Sequence, residues 1–261
     1  MISHLVDIHC HILPGLDDGP AAHDEAVAMA ELAVREGIDT IIATPHYGKA
    51  DYWIDASSAQ AAVSSFNGLL QNRNIPLNVL TGQEIRLNAT LLDHLEDGKL
   101  LPLATSAYIL IEFPSRLIPK NTISVLHELQ VLGYTPVLAH PERNMEIMRN
   151  PQIIRELYEY GALFQMTAGS ITGRFGNTIQ RISKQMLKEY DIHFIASDAH
   201  HPTQRPFQLQ AAYEIINQQL GSDYTHHLQH NAQQVINNQP ITPWETTVAK
   251  RKKWKLRWWK E

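Results

Sequence analysis

The chain has 261 residues, of which 44% are hydrophobic and 19% charged, with a single cysteine and a formal charge of −5. That length suits one α/β domain with a substantial core; no apolar run is long enough to cross a membrane, and one cysteine permits no intramolecular disulfide. The charge is uneven: within residues 250–261 seven Lys and Arg stand against Glu261, a local +6 that leaves −11 on the rest, so the body lacks the basic surface of a nucleic-acid-binding protein.

In chain order, Leu5 to Ile8 reads as a first strand and Asp24 to Glu36 as a first helix, with Asp24 as its cap and Gly37 as its stop. Strand Thr40 to Ala43, helix Ala56 to Gln71 and strands Leu77 to Leu80 and Tyr108 to Ile111 follow. Next come helix Ile123 to Leu132, strand Thr135 to Ala139, helix Pro151 to Tyr160 and strand Ala162 to Met166. The pattern ends with helix Asn177 to Tyr190, strand His193 to Ala196 and helix Gln208 to Leu220. Such alternation implies parallel strands with helical crossovers, in an open doubly wound sheet or a barrel. There is no Gly-x4-Gly-Lys loop and no Gly-x-Gly-x-x-Gly turn, so nucleotide binding has no support. The N-terminus carries no basic stretch leading into an apolar one, and the expected location is cytoplasmic.

Five segments place His, Asp or Glu where an apolar run gives way to a loop. They are His9-Cys10-His11 with Asp17-Asp18, Thr44-Pro45-His46, Gly82-Gln83-Glu84, His140-Pro141-Glu142-Arg143 and Ser197-Asp198-Ala199-His200. Imidazole and carboxylate suit borderline and hard divalent ions, so the recurrence points to a polynuclear metal site at one end of the strands. Ligands after most strands favour a barrel, whose strand ends converge on one face. His9 and His11 share parity on a strand, as does Asp7, which is placed to orient an imidazole; Cys10 faces away and reads as a small buried apolar residue. Glu112, inside Ile109-Leu110-Ile111-Glu112-Phe113, needs a partner charge or a metal to offset its desolvation.

Arg143 and Arg205 beside a metal cluster make sense if they share an anion, and guanidinium geometry suits phosphate. Position 16 is Leu16, so the Cys-x5-Arg loop of a cysteine-based phosphatase is absent. Residues 250–261 also hold Trp254, Trp258 and Trp259, a mixture that suits either an anionic membrane surface or a solvated tail.

Asp7 to Gly19, with its Leu-Pro-Gly-Leu-Asp-Asp-Gly turn, the four other segments and Ala168-Gly169-Ser170-Ile171-Thr172-Gly173-Arg174-Phe175-Gly176 resemble the polymerase and histidinol phosphatase (PHP) superfamily. Within it they resemble the bacterial capsule and exopolysaccharide tyrosine-protein phosphatases of the CpsB/CapC type, over about residues 5 to 238. The resemblance implies a distorted, TIM-like β/α barrel with three divalent ions at the C-terminal strand ends, manganese foremost and iron or zinc as alternatives. It implies hydrolysis of phosphotyrosine on a partner tyrosine kinase that controls polysaccharide export. Carried over by position, His9, His11, His46, Glu84, Glu112, His140, Asp198 and His200 match metal ligands. Asp18 matches a catalytic or metal-adjacent carboxylate, and Arg143 and Arg205 match phosphate-binding arginines. The phosphatase domain is expected over residues 1–245, with 246–261 as a separate tail. A small-molecule phosphatase resembling histidinol phosphatase and a non-catalytic kinase-binding module are the competing expectations.

Overall fold

A computed structural model describes residues 4–189 and 192–244. The basic tail, and with it the membrane expectation, lies outside these residues.

The elements in order are β1 (Leu5–Cys10), α1 (His23–Arg35), β2 (Ile38–Ala43), β3 (His46–Lys49), β4 (Tyr52–Trp53), α2 (Ala56–Asn72), β5 (Asn78–Thr81), β6 (Glu84–Arg86) and α3 (Leu91–Glu96). They continue with β7 (Tyr108–Glu112), α4 (Thr122–Val131), β8 (Thr135–Ala139), α5 (Met145–Arg149), α6 (Ile153–Glu159), β9 (Leu163–Thr167) and α7 (Ala168–Thr172). The last are α8 (Asn177–Glu189), β10 (Phe194–Ala196), α9 (Leu209–Leu220) and α10 (Ser222–Ile236).

One sheet runs β1-β2-β5 and the other β10-β9-β8-β7-β6-β3-β4, all parallel except the β3/β4 pair. The two are one wall. β2 continues into β3 across Thr44-Pro45, and β5 into β6 across Gly82-Gln83, so each pair is a single strand line with a break. A parallel bridge between Cys10 and Ala199 joins the ends, with His11 N donating to Ala199 O (2.9 Å) and Asp198 N to His9 O (2.8 Å). Among the described residues, seven strand lines therefore follow in sequence order round a distorted β/α barrel, as the alternation predicts.

The core has two layers. Val6, Ile8, Ile42, Leu110, Val137, Phe194 and Ala196 form a cluster inside the ring, which Ala232 and Val235 of α10 complete. A larger cluster packs the outer strand faces against the helices, with Ile41, Val79, Ile109 and Leu138 meeting Met29, Phe66, Leu126 and Leu157. α10 and the turn after it close the N-terminal end: Asn231 Nδ2 donates to His193 O (3.0 Å), Ala107 N to Asn238 Oδ1 (2.8 Å) and Tyr108 Oη to Gln239 O (2.7 Å). With one end filled by apolar side chains, only the C-terminal end is free to hold chemistry.

Two local expectations change. α1 begins at His23 after Ala22, with no side-chain cap. Asp24 lies inside the first turn, where its charge still favours the helix dipole. α10 has no counterpart in the sequence reading, because its His-, Gln- and Asn-rich surface masks a narrow buried stripe.

Candidate active site

The five segments meet at the C-terminal end of the ring. His9, His11, His46, Glu84, Glu112, His140, Asp198 and His200 are all buried, with Asp18 at the opening. Four groups of these side chains bring ligand atoms within 4.8 Å of one another: His11/Asp18/His46/His200, His9/His11/Glu84, His9/His140/Asp198 and His46/Glu84/Glu112. The chain thus holds side-chain groups able to bind metal, and every expected ligand belongs to at least one.

Glu84 is central. Its Oε1 lies 2.8 Å from His140 Nε2, and its Oε2 lies 2.9 Å from His46 Nδ1, 3.3 Å from His11 Nε2 and 3.5 Å from His9 Nε2. The segment before it explains the placement. A Cβ at Gly82 would stand 2.7 Å from Ile42 Cγ2, so only glycine lets the two broken strands touch. Gln83 then fixes the break, its Nε2 donating to Ile54 O (2.6 Å) and its Oε1 accepting from Leu101 N (2.6 Å).

The outer nitrogens of the imidazoles are tied down, which aims the inner ones. His9 Nδ1 bonds Gln165 Oε1 (2.9 Å), His11 Nδ1 bonds Asp17 Oδ2 (2.7 Å) and His200 Nδ1 bonds Asp198 O (3.0 Å). In the neutral ring each bond leaves the Nε2 lone pair facing the cluster. His9 Nε2 and His11 Nε2 consequently face each other at 3.3 Å. His46 Nδ1 is buried with no hydrogen-bond partner of acceptable geometry. Converging lone pairs and an orphaned ring nitrogen fit a cation better than they fit hydrogen bonds.

Electrostatics follow from that crowding. Burial disfavours charge on every group, but Glu84 and Asp198 outweigh it at His9 and raise its pKa to about 9, and Glu84 and Asp18 do so at His46, to about 10. Glu84 and Asp198 are held well below the usual carboxylate range despite burial, by His9 and His46 and by Arg205 and His9 respectively. Burial and Arg143 lower His140 to about 4, and burial and His11 lower His200 to about 4. Burial and Glu84 raise Glu112 to about 7.

Two ligand candidates sit in left-handed backbone, His140 at φ 36° and Asp198 at φ 52°. Non-glycine residues pay for this conformation, and such strain gathers at functional sites. Asp198 spans the two halves of the site. Its Oδ1 lies 3.4 Å from His9 Nε2 and 3.5 Å from His11 Nε2, while its Oδ2 lies 2.5 Å from Arg143 Nη1 and also meets Arg205 Nη2. Arg143 and Arg205, 62 residues apart in sequence, thus converge on one oxygen.

Several partners have no sequence signal. Asp7 does not orient an imidazole; its carboxylate accepts from Ser197 N (2.9 Å) and Ser197 Oγ (2.5 Å), because the β1/β2 register shifts between Asp7 and Cys10. Asp17 takes that role, holding His11 while accepting from Gly19 N (3.0 Å) and His46 N (3.0 Å). Glu112 pairs with Arg86 Nη2 at 2.8 Å, so its burial alone does not require a metal. What ties it to the cluster is its grouping with His46 and Glu84. Arg86 was findable, lying two residues after Glu84 on the same strand. Lys49 Nζ lies 3.2 Å from Asp18 Oδ2 and 2.5 Å from His46 Nε2, brought round by an irregular β3/β4 register. Cys10 is buried, faces Ala199 O and has its thiol pKa pushed well up by burial, so it is not a nucleophile.

A ring of parallel strands whose C-terminal ends gather buried metal-binding groups beside two arginines defines a β/α-barrel protein of the metal-binding kind. The chain belongs to the capsular polysaccharide synthesis CpsB/CapC family, whose model matches residues 5–237. It is 41% identical over 249 residues to the tyrosine-protein phosphatase YwqE of Bacillus subtilis, covering 95% of this chain and 98% of that one. It is 29% identical over 243 residues to the tyrosine-protein phosphatase CpsB of Streptococcus agalactiae, covering 91% and 100%. Among solved structures it matches a chain from those of B. subtilis YwqE and Streptococcus pneumoniae CpsB, described as unique metal-dependent tyrosine phosphatases. That match has a TM-score of 0.90, 41% identity and coverage of 92% of this chain and 97% of that one.

Proposed function

We propose that this chain is a metal-dependent protein-tyrosine phosphatase acting on a bacterial tyrosine kinase that controls capsule or exopolysaccharide synthesis. The observation that carries the reading is Asp198, which turns one oxygen to the imidazoles and the other to Arg143 and Arg205. A phosphate taken by the arginines therefore lies against the groups that bind metal.

In this reading His9, His11, His46, Glu84, Glu112, His140, Asp198 and His200 hold three divalent ions, manganese foremost with iron or zinc as alternatives. When bound, such ions supply Lewis acidity and bring the pKa of a water close to neutrality. A neutral imidazole has one lone pair, so His46 serves either Glu84 and Glu112 or His11, Asp18 and His200. Arg143 and Arg205 take phosphate oxygens and offset the charge that gathers on them. Asp18, whose pKa stays low because His200 and His46 outweigh its burial, remains ionised and accepts a hydrogen bond from the attacking water. As the bond from water oxygen to phosphorus forms, the bond to the tyrosine oxygen breaks. The phenolate, of pKa about 10, departs without needing prior protonation. The proton that the water gives up passes by way of solvent to the departed phenolate, so inorganic phosphate and tyrosine result, with no bond to the protein.

The enzyme is assigned residues 1–245 and a cytoplasmic location. The tail 246–261 is assigned to the anionic inner membrane surface, where a membrane-bound kinase would lie; removing residues 250–261 should abolish sedimentation with phosphatidylserine liposomes, and unchanged sedimentation would remove this part. The activity is tested with manganese-loaded protein on a phosphotyrosine peptide, a phosphoserine peptide and histidinol phosphate. Preference for the first is expected; preference for histidinol phosphate would overturn the substrate.

A further inference from the structure

The segment Ala168 to Gly176 contains no metal-ligand candidate, yet its contacts reach both arginines. Phe175 is half-buried beside both: the Arg143 guanidinium carbon lies 4.9 Å from the ring centroid and that of Arg205 lies 5.9 Å from it. Other residues of the segment, with Thr167 just before it, hold the two backbones that carry these arginines. Glu142, next to Arg143, accepts from Thr167 N (3.0 Å) and Ser170 Oγ (2.7 Å) through Oε1. Arg174 donates to Thr203 O (2.8 Å) from Nη2 and to Gln204 O (2.9 Å) from Nε, just before Arg205. A Cβ at Gly169 would stand 3.0 Å from Phe175 Cε2, so glycine there leaves the ring its place. Arg174 N closes the loop on Gly169 O (2.9 Å).

We propose that Phe175 is a positioning residue whose ring holds Arg143 and Arg205 side by side, at the spacing that accepts one phosphate. The inference rests on the reading of these arginines as the phosphate site. Two guanidiniums brought together repel each other, and the single carboxylate of Asp198 leaves the pair with net positive charge before substrate arrives. A second carboxylate would offset the repulsion by occupying the N–H donors and cancelling the charge that phosphate needs. An aromatic face attracts each cation electrostatically and leaves its N–H edge free for phosphate. Asp198 anchors the pair through its carboxylate and Phe175 through its uncharged ring.

Metal-loaded wild type, Phe175→Leu, Phe175→Ala and Phe175→Tyr are compared, with Arg143→Ala and Arg205→Ala as references. The readouts are KM and kcat for p-nitrophenyl phosphate, the inhibition constant of inorganic phosphate, and metal content. Leucine keeps most of the volume but not the π face. Phe175→Leu and Phe175→Ala are expected to raise both KM and the phosphate inhibition constant by about tenfold with metal content unchanged, and Phe175→Tyr is expected to rescue both. Wild-type phosphate affinity in Phe175→Leu would overturn the inference, since packing alone would then suffice. If Arg143→Ala and Arg205→Ala weaken phosphate while Phe175→Leu does not, only the role of Phe175 falls. If neither arginine variant weakens phosphate, the phosphate site and the inference fall together.

Discussion

His9, at the C-terminal end of β1, and His193, just before β10, are both buried histidines of one barrel, yet their neighbours leave them with opposite pKa shifts. Carboxylates around His9 overcome desolvation and raise its pKa to about 9, whereas burial, with a small push from His227, lowers His193 to about 3. His193 accepts from Phe164 N at 3.2 Å through Nδ1 and stacks on Tyr158 at 5.4 Å. It is a neutral core residue at the filled end. His9 is one of several polar groups forced together at the other end, where like atoms face each other and the backbone is strained. The contrast shows that a buried histidine says little until its neighbours are known, and that this fold keeps its stability and its chemistry at opposite ends.

The largest break in that contrast should come from Glu84→Gln. Removing the carboxylate shared by four imidazoles is expected to strip metal and reduce phosphotyrosine hydrolysis by about a hundred- to a thousandfold, while circular dichroism shows a folded chain; retained metal and activity would mean that Glu84 is structural. Damage at the other end should do the reverse. Leu110→Ala, inside the ring, should cost about 2–5 kcal/mol in urea unfolding yet leave metal content per folded chain unchanged. A smaller effect concerns pH. The folded pKa of His193 lies below the value of about 6.5 expected when unfolded, so the unfolded state binds the extra proton. The stability this neutral residue contributes is present above that value and is lost as pH falls toward 3, at up to about 1.4 kcal/mol per pH unit. His193→Gln should flatten the pH dependence of the urea midpoint in metal-free protein between about pH 6.5 and 5; equal slopes would contradict a neutral buried His193.

Much of the barrel was legible because parallel strands buried on both faces leave continuous apolar runs, and all seven runs are strand lines of the wall. The sequence does not show that the strand lines continue past Thr44-Pro45 and Gly82-Gln83, since β3 and β6 are only four and three residues long. The site residues stood out because each ends an apolar run. Their supports did not. Asp17 looked like a turn residue, Gln165 like part of a strand, and Lys49 reaches Asp18 through an irregular register. The left-handed backbone at His140 and Asp198 is set by tertiary contacts such as His140 N to Gln165 O at 2.8 Å, which no local pattern records. Phe175 was part of a motif without a role, because its role depends on two arginines brought together only by closing the ring.

The most direct test of the account is to strip the purified protein with chelator, return manganese in steps, and follow bound ions per chain together with phosphotyrosine-peptide hydrolysis. The account predicts an inactive stripped protein whose activity returns as about three ions bind per chain. Full hydrolysis by the metal-free protein would contradict it.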